Sequence, residues 1–507
     1  VFCGREPIVS IWGLITQALS LNKVLNVALW PNVYTTVSEI SHIGLEEISE
    51  VSGSIVLFFM ALIFLLLYFL GTIQSRKDPG PKRAFTIIMV FWFIGMYLAC
   101  FSGRRFTVFL HIPLGFSLGV GVSGTLAYLK KKFKLPFGFL VLGLLIVLGG
   151  IDFANSYERA RTIFPLMNSS WYKILTQLKN NSPADATIDS WWDYGDWFKA
   201  VAARRVIFDG QSQNTPQAYW MANCLLSDNE EESVRILKML NNGGNRAYEL
   251  INYGLKDPLR SVLLLKKLFS LKPETARLEL SFLARPKVEE VMRLLFDRPP
   301  KAFFIVDNAM CDKMGSISYL GSWDFIKAYL AKRAEGADLA EAEDHIFKIK
   351  ASGRKEIEKF SKEAALADQE DLGELVSQRF RIHSRLLSGQ EKDGLVLFDK
   401  GFVFRPKEQL VYLYSPRLDR FRIPKSLFVF DNNQFKETPY PKNDLGLSLL
   451  VFKDKQEYRA VLLDRPLAVS LFSRLYFLNA AGLKHFKPFM EEKVADGVIR
   501  VFEIIWE

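Results

Sequence analysis

Apolar residues are bunched toward one end of the chain and dispersed through the rest. Four charge-poor runs occupy 52–73, 84–101, 106–128 and 136–151, and a helix needs about 20 apolar residues, range about 17–25, to cross the hydrocarbon core. The pattern predicts four transmembrane helices, the last of them short. Past residue 152 the pattern becomes that of a soluble protein: ATID (186–189) and KAFFIVD (301–307) read as buried strands beside helical stretches, and 327–370 carries charge at helical spacing. After 393 the short runs GLVLFD, GFVFRP, QLVYLY and SLFVFD alternate with Pro, Gly and Asn turns, the signature of β-structure. The expected fold class is a multi-domain membrane protein, with an α-helical transmembrane part followed by a soluble mixed α/β domain and a β-rich C-terminal module.

Charge orients this arrangement. The links at 75–83 (SRKDPGPKR) and 129–136 (LKKKFKLP) are basic, whereas SGRR (102–105) and the segment before 52 are less so. The positive-inside rule puts the two basic links in the cytoplasm. Residues 1–51 then form an external loop, 52–151 hold the spans, 152–392 form an external α/β domain and 393–507 the β-rich module. The apolar stretch IVSIWGLITQALSL is broken by Asn22, Lys23 and Asn26, too soon to span, and reads as part of the loop resting on the membrane surface. The expected location is the cell (inner) membrane, with the C-terminal domain on the periplasmic or extracellular side.

Composition narrows the class. The 507 residues are 49% hydrophobic and 24% charged with net charge +10, a combination that a uniform soluble body rarely shows and that excludes a disordered or collagenous chain. Cys3, Cys100, Cys224 and Cys311 have no CxxC spacing, and with five scattered histidines they offer no zinc site and no disulfide framework. Lys130, Lys131, Lys132 and Lys134 are explained by topology, and no aromatic-basic motif of a nucleic-acid reader accompanies them. A transporter is disfavoured, because the spans carry no acidic residue and His111 alone lies in one, near an outer end. Residue 1 is Val rather than Met, which leads to the expectation that the chain lacks its true N-terminus.

The most informative stretch is SWWDYGDW, Ser190 to Trp197. Trp and Tyr collect at membrane interfaces, but this segment lies some forty residues past the last run, after an expected strand. Indole N–H groups donate and a carboxylate accepts, so Trp191, Trp192 and Asp193 can together hold one hydroxyl in a water-poor pocket. A site built that way rejects an analogue lacking the hydroxyl.

WWDYG, Trp191 to Gly195, resembles the signature of the oligosaccharyltransferase catalytic subunit family. Those enzymes move a preassembled glycan from a polyprenyl diphosphate to the Asn of an Asn-X-Ser/Thr sequon. The resemblance is to the C-terminal part of the single-subunit bacterial and archaeal members, and it implies that Trp191, Trp192 and Asp193 grip the +2 hydroxyl of the acceptor while Tyr194 and Gly195 shape the turn. Asp196 stands where bacterial members can carry an aromatic. TVSE, Thr36 to Glu39, is similar to the family motif whose Glu binds a divalent cation, Mn2+ or Mg2+, and orients the acceptor; Glu39 is thereby the expected catalytic and metal residue. Arg105, in SGRRFTVFLHIP, matches the arginine that contacts the lipid diphosphate, a pairing that a guanidinium makes in two-pronged fashion.

In DNAMCDKMGSI, Met310, Met314 and Ile317 fall at i, i+4 and i+7, a spacing that usually means core. Family members carry here an Asp-X-X-Lys or Met-X-X-Ile helix motif that packs on the methyl of an acceptor Thr. Met314 and Ile317 fit the second type as acceptor-binding residues, and Met310-X-X-Lys313 admits another register.

The resemblance implies a glycosyltransferase whose partners are a polyprenyl-diphosphate-linked oligosaccharide, Asn-X-Ser/Thr polypeptides and the bilayer. The family's two upstream Asp-X-Asp motifs are absent from this sequence, so the segment alone is expected to transfer no glycan. The alternative is a membrane-anchored periplasmic peptide-binding protein without catalysis. Glu50, in SEVSGS, replaces the arginine with which some bacterial members select an acidic residue two positions before the acceptor Asn. Acceptors without that acidic residue should accordingly be glycosylated as well as those with it; a peptide assay in which only Asp/Glu-X-Asn-X-Ser/Thr reacts would contradict this.

Overall fold

The computed structural model describes residues 29–37, 43–51, 55–74, 80–101, 103–133, 157, 160–161, 166–334, 339–349, 354–366, 369–415, 420–495 and 497–506. The chain divides into two compact units, one holding 1–25 and 34–166, the other 26–33 and 167–507.

In the first unit a short helix α1 (Leu45–Val51) precedes α2 (Ile55–Gln74), α3 (Pro81–Cys100) and α4 (Thr107–Phe133). Three helices are long and apolar enough to cross a membrane, at Ile55–Gln74, Arg83–Cys100 and Arg104–Lys132. They correspond to the first three expected spans; the fourth, 136–151, and the IVSIWGLITQALSL stretch lie outside the described residues. Phe58, Ala61, Leu65, Met89, Phe93, Leu110 and Leu114 pack between the helices. Ile63, Leu66, Leu67, Phe91 and Val108 stay exposed, as lipid-facing side chains would be.

The second unit begins, after residues 29–33, with α5 (Ser169–Asn181) and strand β1 (Thr187–Asp189), then α6 (Gly195–Ala200) and β2 (Arg205–Val206). A helical layer follows: α7 (Pro216–Leu226), α8 (Glu230–Gly243), α9 (Arg246–Leu255), α10 (Pro258–Phe269), α11 (Pro273–Glu279) and α12 (Arg285–Phe296). Strand β3 (Ala302–Asp307) runs directly into α13 (Asn308–Gly321); α14 (Phe325–Ala334), α15 (Leu339–Ile349) and α16 (Arg354–Leu366) fall in the charged 327–370 region expected to be helical, and α17 (Gln369–Val376) starts at its end. β1 pairs in parallel with β2 and β3, and all six residues of β3 are buried. Its uninterrupted apolar run reflects cover on both faces: α5 lays Trp171, Ile174, Leu175 and Leu178 on one side, with Ile188, Phe303 and Ile305.

Next come the strands β4 (Leu387–Lys392), β5 (Leu395–Phe398), β6 (Phe402–Arg405), β7 (Leu410–Ser415), β8 (Arg420–Arg422), β9 (Ser426–Asp431), β10 (Gln434–Pro439), β11 (Ser448–Asp454) and β12 (Glu457–Leu463), joined in one sheet. Two-residue turns with positive φ at both positions, Asp393-Gly394, Asn432-Asn433 and Lys455-Gln456, connect three of its hairpins. That geometry matches the strand twist and favours Asp, Asn and Gly.

The nine-stranded sheet ends with β12, and the last two strands belong elsewhere. After helix α18 (Leu471–Tyr476), strands β13 (Phe486–Val494) and β14 (Gly497–Ile504) return to the first sheet, whose order is β13-β14-β3-β1-β2. Periodicity alone could not assign them, because a strand pattern carries no address. Alternation in β14 buries Ile499 and Val501 on the α5 side, and β14 pairs antiparallel to β3.

Helix α13 is held close to α7. A Cβ on Gly321 would stand 2.6 Å from the Ala222 carbonyl carbon and 2.7 Å from its oxygen, while Asn223 Nδ2 donates to the Gly321 carbonyl at 3.0 Å. Gly321→Ala should therefore destabilise the chain by about 1–3 kcal/mol, read as a lowered urea midpoint at unchanged slope; an unchanged midpoint would show that the two helices separate freely.

Candidate functional site

Because β1 and β3 are parallel neighbours, with Asp189 opposite Phe304, the chain leaves both at the same edge of the sheet. Ligand sites in open α/β sheets gather at such carboxyl ends. From β1 emerges Ser190, whose hydroxyl donates to the Ile305 carbonyl at 2.9 Å. Trp191 is extended and Trp192–Tyr194 form one 3-10 turn, after which Gly195 opens α6. A Cβ on Gly195 would lie 2.7 Å from Asp209 Cβ and 2.8 Å from the Phe208 carbonyl oxygen, so the close approach of the 208–209 backbone requires glycine. From β3 emerges Asp307, whose carboxylate accepts from the Ala309 amide at 3.3 Å and caps α13.

These elements fix the aromatic residues. Tyr194 stacks on Trp197 with ring centroids 4.7 Å apart, lies 4.8 Å from Trp171, and donates its hydroxyl to Asp307 at 3.3 Å. Trp191 is buried with its ring edge-on to Phe208 at 5.9 Å. Behind the site Asp189 is wholly buried and accepts from Asn241 Nδ2 at 2.7 Å. Burial pushes the Asp189 carboxyl up to about 8, and burial likewise raises Asp307 to about 6. The same burial, aided by Asp307 and Asp193, pushes the Tyr194 phenol up. On the next loop the Lys199 ammonium and the Ser212 hydroxyl hold Asp209 down at about 2.

Five polar atoms in this region are buried without a hydrogen-bond partner: Asp189 Oδ1, Asn241 Oδ1 and Asp307 Oδ1, and, in the turn itself, Trp192 Nε1 and Asp193 Oδ2. Such groups normally find partners, and leaving one unmade costs about 1–3 kcal/mol. The other carboxylate oxygen, Asp193 Oδ1, is 2.7 Å from Lys313 Nζ, and that ammonium also lies 5.3 Å from the centre of the Tyr194 ring. A donor and an acceptor on consecutive residues complement a group able to accept and donate at once. A hydroxyl is the side-chain group that does both with a single oxygen.

Trp191, Trp192, Asp193, Tyr194 and Gly195 all lie in the turn that leaves β1. Met314 and Ile317 are fully buried, and on the same helix Lys313 pairs with Asp193. The i, i+4, i+7 spacing is the spacing of the core face. In the first unit, Arg105 lies in the 3-10 turn Arg104–Phe106 ahead of α4, its guanidinium 5.1 Å from the Phe106 ring centre. Glu39 lies outside the described residues, as does the side chain of Glu50.

Asp189, Asn241 and Asp307 were not singled out in advance as parts of this site. Asp307 could have been suspected from its place between an apolar run and a helix, the position of an N-cap. Asn241 offers no such signal, lying in the last turn of α8 and fifty-two residues from its partner. Among the described residues no group of three or more His, Cys, Asp or Glu side chains converges to hold a metal ion.

No protein-family model matches the chain. Curated relatives do. A dolichyl-phosphooligosaccharide-protein glycotransferase of Methanocaldococcus jannaschii is 25% identical over 409 residues, covering 64% of this chain and 44% of its own. The enzyme of that name from Methanococcus voltae is 25% identical over 61% of this chain and 43% of its own. The chain thus spans less than half the length of these relatives. Among solved structures, the archaeal oligosaccharyltransferase AglB of Archaeoglobus fulgidus, in complex with an inhibitory peptide and a dolichol-phosphate, aligns over 96% of this chain and 43% of its own at 14% identity and a TM-score of 0.44.

The two raised carboxyls have a consequence for stability. Each stays protonated in the folded chain where it would ionise in the unfolded one, whose Asp titrates near ~3.9. Folding takes up protons in that window, so stability falls as pH rises from about 4 toward about 8, by at most about 1.4 kcal/mol per pH unit for each group. Asp189→Asn should flatten the decline in melting temperature between pH 5 and pH 8; an equally steep decline in the variant would show that Asp189 is not its source.

Proposed function

The chain is a relative of the oligosaccharide-protein glycotransferases, and we propose that it is the acceptor-recognising part of one, an asparagine N-glycosyltransferase that acts on Asn-X-Ser/Thr sequons. The observation that carries this reading is an unpartnered donor and an unpartnered acceptor buried on consecutive residues of the turn after β1, Trp192 Nε1 and Asp193 Oδ2. In it, the sequon hydroxyl donates to Asp193 and accepts from Trp192. Lys313 holds the opposite carboxylate oxygen and so aims the free one, while Tyr194 and Gly195 fix the turn against Asp307 and the 208–209 backbone.

Binding the hydroxyl on a rigid sheet edge orients the sequon and so places its Asn amide, the kind of positioning that lowers a bimolecular barrier. Met314 and Ile317 serve from beneath, as the packed face that seats Lys313. At the other end of the reaction the leaving group is a lipid diphosphate, whose charge Arg105 is suited to meet. A divalent cation, Mn2+ or Mg2+, held by Glu39 with carboxylates from outside this chain, would neutralise the same leaving group. The enzyme would sit in the cell membrane with the second unit on the periplasmic or extracellular side, its donor a polyprenyl-diphosphate-linked oligosaccharide.

The test uses the full-length gene product, its lipid-linked donor and a fluorescent Asn-X-Thr peptide. Trp192→Phe removes the indole N–H together with part of the ring system, and Asp193→Ala the acceptor; each should weaken peptide binding by about 1–3 kcal/mol, roughly 5- to 150-fold. Unchanged affinity in both variants would overturn the pocket assignment. Tight peptide binding by the parent protein with no glycan transferred would leave a binding module in place of an enzyme.

A further inference from the structure

Within the second unit a cleft of about 1090 Å³ is lined by residues of the nine-stranded sheet, α18 and the β13-β14 hairpin. Sites for drug-sized ligands run to roughly 300–1,000 Å³, so this space suits an extended molecule of several rings. Its floor is a row of side chains across the sheet. Phe430 of β9 stands opposite Phe452 of β11, and Phe452 opposite Arg459 of β12; directly opposed residues share a face. From the hairpin, Glu491 and Arg500 are opposed on β13 and β14.

The lining is strongly cationic. Seven Lys and Arg side chains meet three carboxylates, those of Asp312, Asp454 and Glu491. Glu491 is already taken, since Arg500 Nε donates to it at 2.8 Å. Lys400, Lys455 and Lys493 form no ion pair among the described residues. These charges come from segments up to a hundred residues apart in the chain, so folding gathers them. Like charges in a walled cleft repel one another and focus a field that draws in an anion.

The rings indicate what carries that anion. Phe430 and Phe452 supply aromatic surface beside the Arg459 guanidinium, and Ser388 and Glu457 hold that fork in place. The C–H groups on the apolar face of a sugar ring are attracted to the negative face of an aromatic ring, while a carboxylate on the same sugar takes charge-assisted hydrogen bonds from guanidinium or ammonium groups. We infer that the cleft binds an acidic saccharide chain, a glycan whose rings bear carboxylates. The choice of a saccharide rests on the transferase reading, in which the donor carries one. One helix borders both places: Asn308, Cys311 and Asp312 of α13 line the cleft, and the next residue, Lys313, pairs with Asp193 at the candidate site.

The test is calorimetric titration of the intact chain in detergent at low salt with three probes. Trigalacturonate should bind at least about tenfold more tightly than maltotriose, a neutral chain of the same length, and than tripolyphosphate, an anion without rings. Lys453→Gln, Lys455→Gln and Lys493→Gln together should weaken trigalacturonate at least about tenfold and leave the affinity for an Asn-X-Thr peptide within about twofold, as separate sites require. Phe430→Ala should weaken trigalacturonate and leave tripolyphosphate unchanged. Absent binding of trigalacturonate, or equal binding by the lysine variant, would refute the site. Tripolyphosphate bound as tightly as trigalacturonate, or maltotriose bound equally well, would refute the acidic saccharide as its ligand. A full-length protein that binds peptide and transfers no glycan would remove the transferase reading, while the three titrations still decide what the cleft holds.

Discussion

The parallel pairing of β1 with β3 is the constraint on which the rest of the site depends. It aligns Asp189 with Phe304 and so brings the chain out of both strands at one edge, where Trp192–Tyr194 and the head of α13 meet. Neither segment could form the site alone. The WWDYG turn supplies an unpaired indole N–H and an unpaired carboxylate oxygen, and α13 supplies the ammonium that holds the other oxygen of that carboxylate. Over a hundred residues separate the two, most of them in the helical layer, and the pairing erases that distance.

A buried polar atom without a partner is a cost that the surrounding structure has to carry. Here the surroundings are stiff: Ser190 is bonded to Ile305, Tyr194 to Asp307, and Gly195 lies against the 208–209 backbone. Burial raises the acids behind the site, Asp189 to about 8 and Asp307 to about 6, and Asp193 is the carboxylate that pairs with Lys313. The trade of folding stability for a preorganised donor and acceptor is one that recognition sites make.

Much of this was legible in the sequence, and the parts that were not have physical reasons. Apolar runs long enough to span announced three of the four expected helices now described, and the β1 and β3 segments showed as short apolar runs. The pocket chemistry of Trp192 and Asp193 follows from residue type alone, since an indole can only donate and a carboxylate in an ion pair can only accept. What periodicity could not decide was the face of α13: apolar spacing picked out Met314 and Ile317, which pack inward, while Lys313 reaches the site because only the sheet tells which side of the helix points there. The homes of β13 and β14, and the partnership of Asp189 with Asn241, likewise arise from contacts between segments far apart in the chain.

The central claim is that a hydroxyl completes the unpaired donor and acceptor at Trp192 and Asp193. The most direct measurement compares the affinity of the unaltered protein for two peptides that differ at one side chain, Asn-X-Thr and Asn-X-Val, which match in shape and differ in the hydroxyl. The account predicts that the threonine peptide binds roughly 5- to 150-fold more tightly, the equivalent of about 1–3 kcal/mol for the bonds left unmade. Equal affinity for the two peptides would contradict it.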